Sequence, residues 1–168
     1  MAEWEWLSES PEQTEDFGRL LGELAQPDDV ISLDGDLGAG KTALTRGIAA
    51  GLGLAGHVTS PTFTILVEHI ADRVSGGRLS LYHFDAYRLA DADSFYDNGF
   101  DEYLSMGGLA VIEWGDLIAP ALPEHTLYIR LLQTDPARPE QRRFCLSWPG
   151  CPERLLALKE RFYEDSGC

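Results

Sequence analysis

The chain has 168 residues, 44% hydrophobic and 10% aromatic, which places it among globular proteins able to bury a core of their own. Thirteen basic against 28 acidic residues leave a net charge of −15. Most of such a surface repels nucleic acid, so any work on RNA is expected to pass through a protein partner. No apolar run approaches the roughly 20 residues of a membrane helix, and the acidic opening MAEWEWLSESPEQTED has the wrong sign for a leader, so a cytoplasmic protein is expected.

Taken in chain order, Glu3 to Leu7 alternates weakly and reads as a short strand. Ser10-Pro11-Glu12-Gln13 opens a helix with a serine cap and a first-turn proline, and Phe17, Leu20, Leu21 and Leu24 follow helical spacing. Asp29 to Leu33 is a buried strand, followed by a glycine-rich loop and a helix from Thr42 to Ala50 that stops in Gly51-Leu52-Gly53. Further strands are predicted over 64–68, 79–85, 109–113, 126–132 and 142–148, with Gly76-Gly77 turning an antiparallel hairpin between the first two. A helix is predicted from Asp91 to Asn98, ending at Gly99, and a last one from about Pro152 to Tyr163. Few helices separate the strands, so the fold class is α/β, a three-layer P-loop NTPase-like domain over residues 1–168 with a mixed, partly antiparallel sheet. Trp4 and Trp6 are expected to pack on the first strand or fray, His57, His69 and His125 to be isolated, and Cys145, Cys151 and Cys168 to be free thiols.

The chemistry is concentrated in Gly35-Asp36-Leu37-Gly38-Ala39-Gly40-Lys41-Thr42. In G-x-x-x-x-G-K-[ST] the glycines let backbone N–H groups turn toward phosphate oxygens, and the helix behind adds its positive end. The chain has two lysines and one falls here. Asp36 through Gly40, Lys41, Thr42 and Ala43 form the expected nucleotide-binding run, with Lys41 reaching the β and γ phosphates and Thr42 ligating Mg²⁺. A metal-side acid belongs at the end of an apolar strand, which leaves Glu113 and Asp85; Glu113 is favoured because its strand reads as buried and central. Thr59-Ser60-Pro61-Thr62-Phe63-Thr64 lies where GTPases keep a γ-phosphate-sensing threonine, although it also fits a plain turn opening a strand.

GDLGAGKT, then SPTFT, then HFDAYRL at 83–89, then an apolar strand ending in Glu113-Trp114 closely resemble the TsaE (YjeE) family. Those are small bacterial ATPases needed for threonylcarbamoyladenosine, the modified adenosine beside the tRNA anticodon. The resemblance runs from the first helix to about Leu132, and the set of four segments is specific where the P-loop alone is not. It implies ATP and Mg²⁺ as cofactors, with Gly38, Gly40, Lys41 and Thr42 as the phosphate loop and Thr42 and Glu113 beside the magnesium. It further implies Asp85 as an acid needed for hydrolysis, Ser60 and Thr62 in a switch-like loop, and Trp114 near the nucleotide. Thr14 resembles a threonine lining the adenine end, and Arg130 lies near the strand that closes that pocket. Where the family often has proline and an acid after the tryptophan, this chain has Gly115-Asp116. The resemblance also implies the TsaB and TsaD proteins as partners, reset by ATP use, with tRNA touched indirectly or at a shared interface. Arg88 is a candidate arginine finger or a structural salt-bridge partner. The rival readings are a small-molecule kinase of the P-loop class and a non-hydrolytic nucleotide sensor; the first lacks an arginine-rich lid, and the presence of both acids opposes the second.

Overall fold

The computed structural model describes residues 3–36, 40–54, 64–74 and 76–167. The chain opens with β1 (Glu3–Ser8), whose alternation turns Trp4, Trp6 and Ser8 inward and Glu3, Glu5 and Leu7 outward. Ser10 then caps α1 (Pro11–Leu24), its hydroxyl accepting from the Gln13 N–H at 3.2 Å. Phe17, Leu20 and Leu21 lie on the buried stripe. No glycine ends α1; the Arg78 guanidinium donates to the carbonyls of Ala25 and Gly22 at 2.8 and 2.6 Å and satisfies the last turn from outside.

Next come β2 (Val30–Gly35), α2 (Lys41–Gly51), β3 (Leu66–His69), β4 (Leu81–Asp85) and α3 (Ala92–Asp97, capped by Asp91). The chain finishes with β5 (Leu109–Glu113), β6 (Leu127–Gln133), β7 (Arg142–Ser147) and α4 (Pro152–Asp165). The strands form one seven-stranded sheet in the order β1-β7-β6-β2-β5-β4-β3. β6, β2, β5 and β4 run parallel, and the flanks β1, β7 and β3 are antiparallel to their neighbours. The mixed sheet is the one expected from the shortage of crossover helices.

Strand alternation sorts the core into two layers. Ile31, Leu33, Leu81, Leu109, Val111, Ile129 and Leu131 face α1, α2 and α4. Val30, Tyr82, Phe84, Ala110 and Ile112 face α3 and the 3₁₀ segments 86–89, 100–105 and 115–121. On the first face Trp4 and Trp6 pack from β1, as expected, and do not fray. They join Phe17, Phe144, Phe162 and Tyr163 in an aromatic cluster, Trp6 stacking on Phe144 at 4.6 Å.

The contact between α1 and α2 is backbone on backbone. A Cβ on Gly18 would lie 2.2 Å from the Leu44 carbonyl oxygen, and one on Gly47 2.0 Å from that of Glu15. Gly22 and Gly51 repeat the arrangement one turn on, at 2.2 Å from the Ile48 and 2.0 Å from the Arg19 carbonyl oxygens. Glycine here gives up helix propensity so that the two axes can approach. The 3₁₀ segments went unforeseen because each is too short to show a period, and 115–121 is further broken at Ile118 and carries Pro120. β3 begins two residues later than predicted.

Candidate functional site

The C-terminal edge of the parallel strands and the N-terminus of α2 meet at one place. β2 delivers the chain to Gly35, and Gly40, in a left-handed conformation (φ 99°), caps α2 without a side chain. Lys41 therefore stands at the first helical position, and its ammonium turns inward. It donates to the Gly35 carbonyl at 2.8 Å, lies 3.9 Å from the Glu113 carboxylate and sits over the Trp114 ring, 4.3 Å from its centroid. Lys41 and Glu113 are each 7% exposed, so both charges are largely desolvated and each depends on the other's presence.

Glu113 ends β5 with every residue of that strand buried, as its apolar run implied. Asp85 ends β4 and is its register partner, so the two carboxylates stand side by side on the face that looks toward α2. Asp85 is half-buried, and its Oδ1 accepts from the Tyr87 N–H at 3.0 Å. Trp114 follows Glu113 in a left-handed conformation (φ 61°), which turns its ring back over Lys41, where Tyr87 flanks it at 5.3 Å. Thr14, on α1, is buried, shares a 2.8 Å hydrogen bond with Ser8, and its methyl lies within 4.0 Å of where a Gly40 Cβ would be. Thr42 and Ala43 are half-buried in the first turn of α2 and Asp36 is exposed. Leu37, Gly38, Ala39, Ser60 and Thr62 lie outside the described residues.

Arg130 is not part of this constellation. β6 alternates Leu127, Ile129 and Leu131 toward α1 and α2, which turns Arg130 to the opposite face. There it is exposed and pairs with Asp116 at 3.1 Å. Arg88 is exposed and makes no ion pair among the described residues.

Two residues near the site lack a role in the sequence reading. Arg142 opens β7 with its Nε 4.0 Å from the Gly40 Cβ position. His83 is 1% exposed on β4, and its Nε2 lies 2.7 Å from Glu113 Oε2. Its alternation with Asp85 was visible; its partner sits on another strand, 30 residues on, and needed the register. His69, expected to be isolated, has His83 as an electrostatic neighbour. It lies half-buried on β3, and burial first, then the neighbouring His83, pushes its proton affinity down.

The oxygen donors on offer, the Thr42 hydroxyl and the Glu113 carboxylate, are hard ligands of the kind Mg²⁺ takes. Among the described residues no group of three histidine, cysteine or carboxylate side chains could hold a metal alone. No helix among the described residues is long and apolar enough to cross a membrane.

The family model described as threonylcarbamoyl adenosine biosynthesis protein TsaE matches residues 8–144. The chain is 43% identical over 129 residues to the tRNA threonylcarbamoyladenosine biosynthesis protein TsaE of Bacillus subtilis strain 168, covering 77% of each. It is 44% identical over 125 residues to the protein of that name from Treponema pallidum, covering 74% of this chain and 88% of the relative. The crystal structure of YdiB from Bacillus subtilis superposes with a TM-score of 0.76 at 33% identity, covering 98% of this chain and 96% of that one.

Proposed function

The chain belongs to the TsaE family of tRNA threonylcarbamoyladenosine biosynthesis proteins, and from that premise we propose that it is a magnesium-dependent ATP hydrolase of the cytoplasm. The observation that carries the reading is the meeting of Lys41 and Glu113, two buried opposite charges, at the N-terminus of α2. A buried lysine at a glycine-capped helix start is suited to phosphate, and a buried strand-end carboxylate beside it to the counter-ion of that phosphate.

In this reading Lys41, the amides of residues 36–42 and the α2 dipole hold the β and γ phosphates and neutralise the charge that develops on them. Thr42 and Glu113 would hold Mg²⁺, which would supply further positive charge to the phosphates. Asp85 has one carboxylate oxygen engaged by Tyr87 and the other available to orient or deprotonate the attacking water. Trp114 and Thr14 line the nucleotide, and Ser60 and Thr62 supply the switch-like loop. The partners are the TsaB and TsaD proteins, reset by ATP binding and hydrolysis. A net charge of −15 suits docking on protein better than direct tRNA binding.

The test is phosphate release from ATP and Mg²⁺ by the protein alone, with TsaB, TsaD and tRNA, and with Asp85→Ala. The expected result is slow release that rises with the partners and disappears in the variant. Release indifferent to the partners, or phosphate appearing on a small acceptor, overturns the reading and returns the kinase alternative.

A further inference from the structure

Glu113 is approached by two groups on unequal terms. His83 Nε2 is 2.7 Å from Oε2, while Lys41 Nζ is 3.9 Å from Oε1 and has its hydrogen bond with the Gly35 carbonyl instead. The short contact is of charge-assisted length; the long one is at the edge of an ion pair. An ionised carboxylate can only accept, so the proton on this contact belongs to His83 Nε2. His83 Nδ1 is buried with no hydrogen-bond partner among the described residues. The tautomer protonated at Nε2 leaves only a lone pair unpartnered there, which costs less than an orphaned N–H.

We propose that His83 is a positioning residue: by donating Nε2–H to Glu113 Oε2 it holds the carboxylate off Lys41, so that the lysine stays available for phosphate and the carboxylate for magnesium. Without that donor, nothing among the described contacts holds Glu113 back from the buried ammonium 3.9 Å away. Direct pairing of the two would satisfy both charges and take both out of nucleotide binding. His83 touches neither phosphate nor metal in this scheme and acts through Glu113. The inference rests on the nucleotide-hydrolysing reading above.

The test compares wild type, His83→Leu, which removes the donor, and His83→Gln, which returns an N–H at similar reach. Magnesium is titrated against ATP hydrolysis, and calorimetry follows ADP binding with and without magnesium. The expected result is a half-saturating magnesium concentration raised about tenfold in His83→Leu and within about twofold of wild type in His83→Gln, one hydrogen bond to a charged group being of that order. A merely structural role would lower the active fraction and the melting temperature in both variants and leave the magnesium midpoint in place, and that outcome overturns the proposal. A third readout needs no nucleotide: ¹⁵N spectra of the histidine rings in the wild-type protein and in Glu113→Leu. A downfield Nε2–H on His83 that moves in Glu113→Leu is expected; an Nδ1–H tautomer, or a signal indifferent to Glu113, overturns the positioning role. If the wild type neither binds nor hydrolyses MgATP, the hydrolase reading falls while the ring spectra still decide whether His83 holds Glu113.

Discussion

Two clusters of charge lie at the same end of the sheet, one on each face. Toward α2 stand Lys41, Glu113, His83 and Asp85, buried or half-buried and bonded across three elements. On the opposite face stand Asp34, Asp116 and Arg130, with the Arg130–Asp116 pair about half exposed on each side. Asp34 lies one residue from Leu33 and Arg130 one residue from Ile129, both of which face the helices. A strand's period of two makes that single step decisive: the same carboxylate or guanidinium is inside the layer that faces α2 or wholly outside it. Parity along the strand, more than nearness to the glycine-rich loop, decides which charges share a face with Lys41.

The largest expected effect breaks the front cluster directly. Lys41→Ala is expected to lower ATP hydrolysis by about 10²- to 10³-fold, the usual loss when one preorganised donor to a developing charge is removed. Asp116→Asn, on the other face, should change it less than about twofold. Parallel phosphate-release assays check the contrast, and comparable losses in the two variants would show that both faces serve the nucleotide.

Second comes the support that brings α2 to the front face. Gly47→Ala places a methyl 2.0 Å from the Glu15 carbonyl oxygen, against backbone that has no rotamer to change. About 3 kcal/mol of stability should be lost by overpacking, which lowers the melting temperature by about 6–12 °C in a chain of this size. Calorimetric melting of Gly47→Ala beside Gly107→Ala is the comparison to make. Gly107 has a φ of 84° but open space around it, so the pair sets backbone strain alone against crowding alone.

Third, the back face carries its own pH signature. Burial, then the Asp116 carboxylate, raises the Asp34 pKa above its ordinary 3.8. A raised acid favours the folded state while protonated. Its contribution is whole below the ordinary value and is lost as pH climbs through the raised one. The amide introduced by Asp34→Asn cannot ionise, so the melting temperature of that variant should gain on wild type as pH rises above the ordinary carboxylate value and run parallel to it once Asp34 is ionised. A difference constant across that range would mean that Asp34 carries no buried-charge cost.

Much of this was legible beforehand, for reasons visible in particular residues. β5 was bounded correctly because Leu109-Ala110-Val111-Ile112 is an apolar run closed by an acid and preceded by Gly107-Gly108. α1 was legible from Ser10-Pro11 and the spacing of its leucines. The alternation Leu127-Tyr128-Ile129-Arg130-Leu131 already separated Arg130 from its neighbours, but which face meets α2 is a tertiary fact. His83 could be paired with Asp85 by parity but not with Glu113, since that requires knowing that β4 and β5 are adjacent and in parallel register. Gly18, Gly22 and Gly47 are weak helix formers in isolation and Gly51 was read as a helix stop; their purpose exists only once two helices touch.

The smallest effect tests the comparison most sharply, because it predicts near silence at a residue the family resemblance placed beside the adenine pocket. Arg130 and Asp116 are 58% and 54% exposed, so water screens their attraction and both side chains give up rotamer freedom to meet. Arg130→Ala should therefore cost no more than about 0.5 kcal/mol by denaturant titration. Because its guanidinium points away from α2, nucleotide affinity should stay within about twofold of wild type, the error of a typical titration and well short of the tenfold that 1.4 kcal/mol represents. If affinity instead fell tenfold with stability unchanged, the guanidinium would have to reach the base from the far side of β6. In that case strand parity would not decide which charges the nucleotide meets.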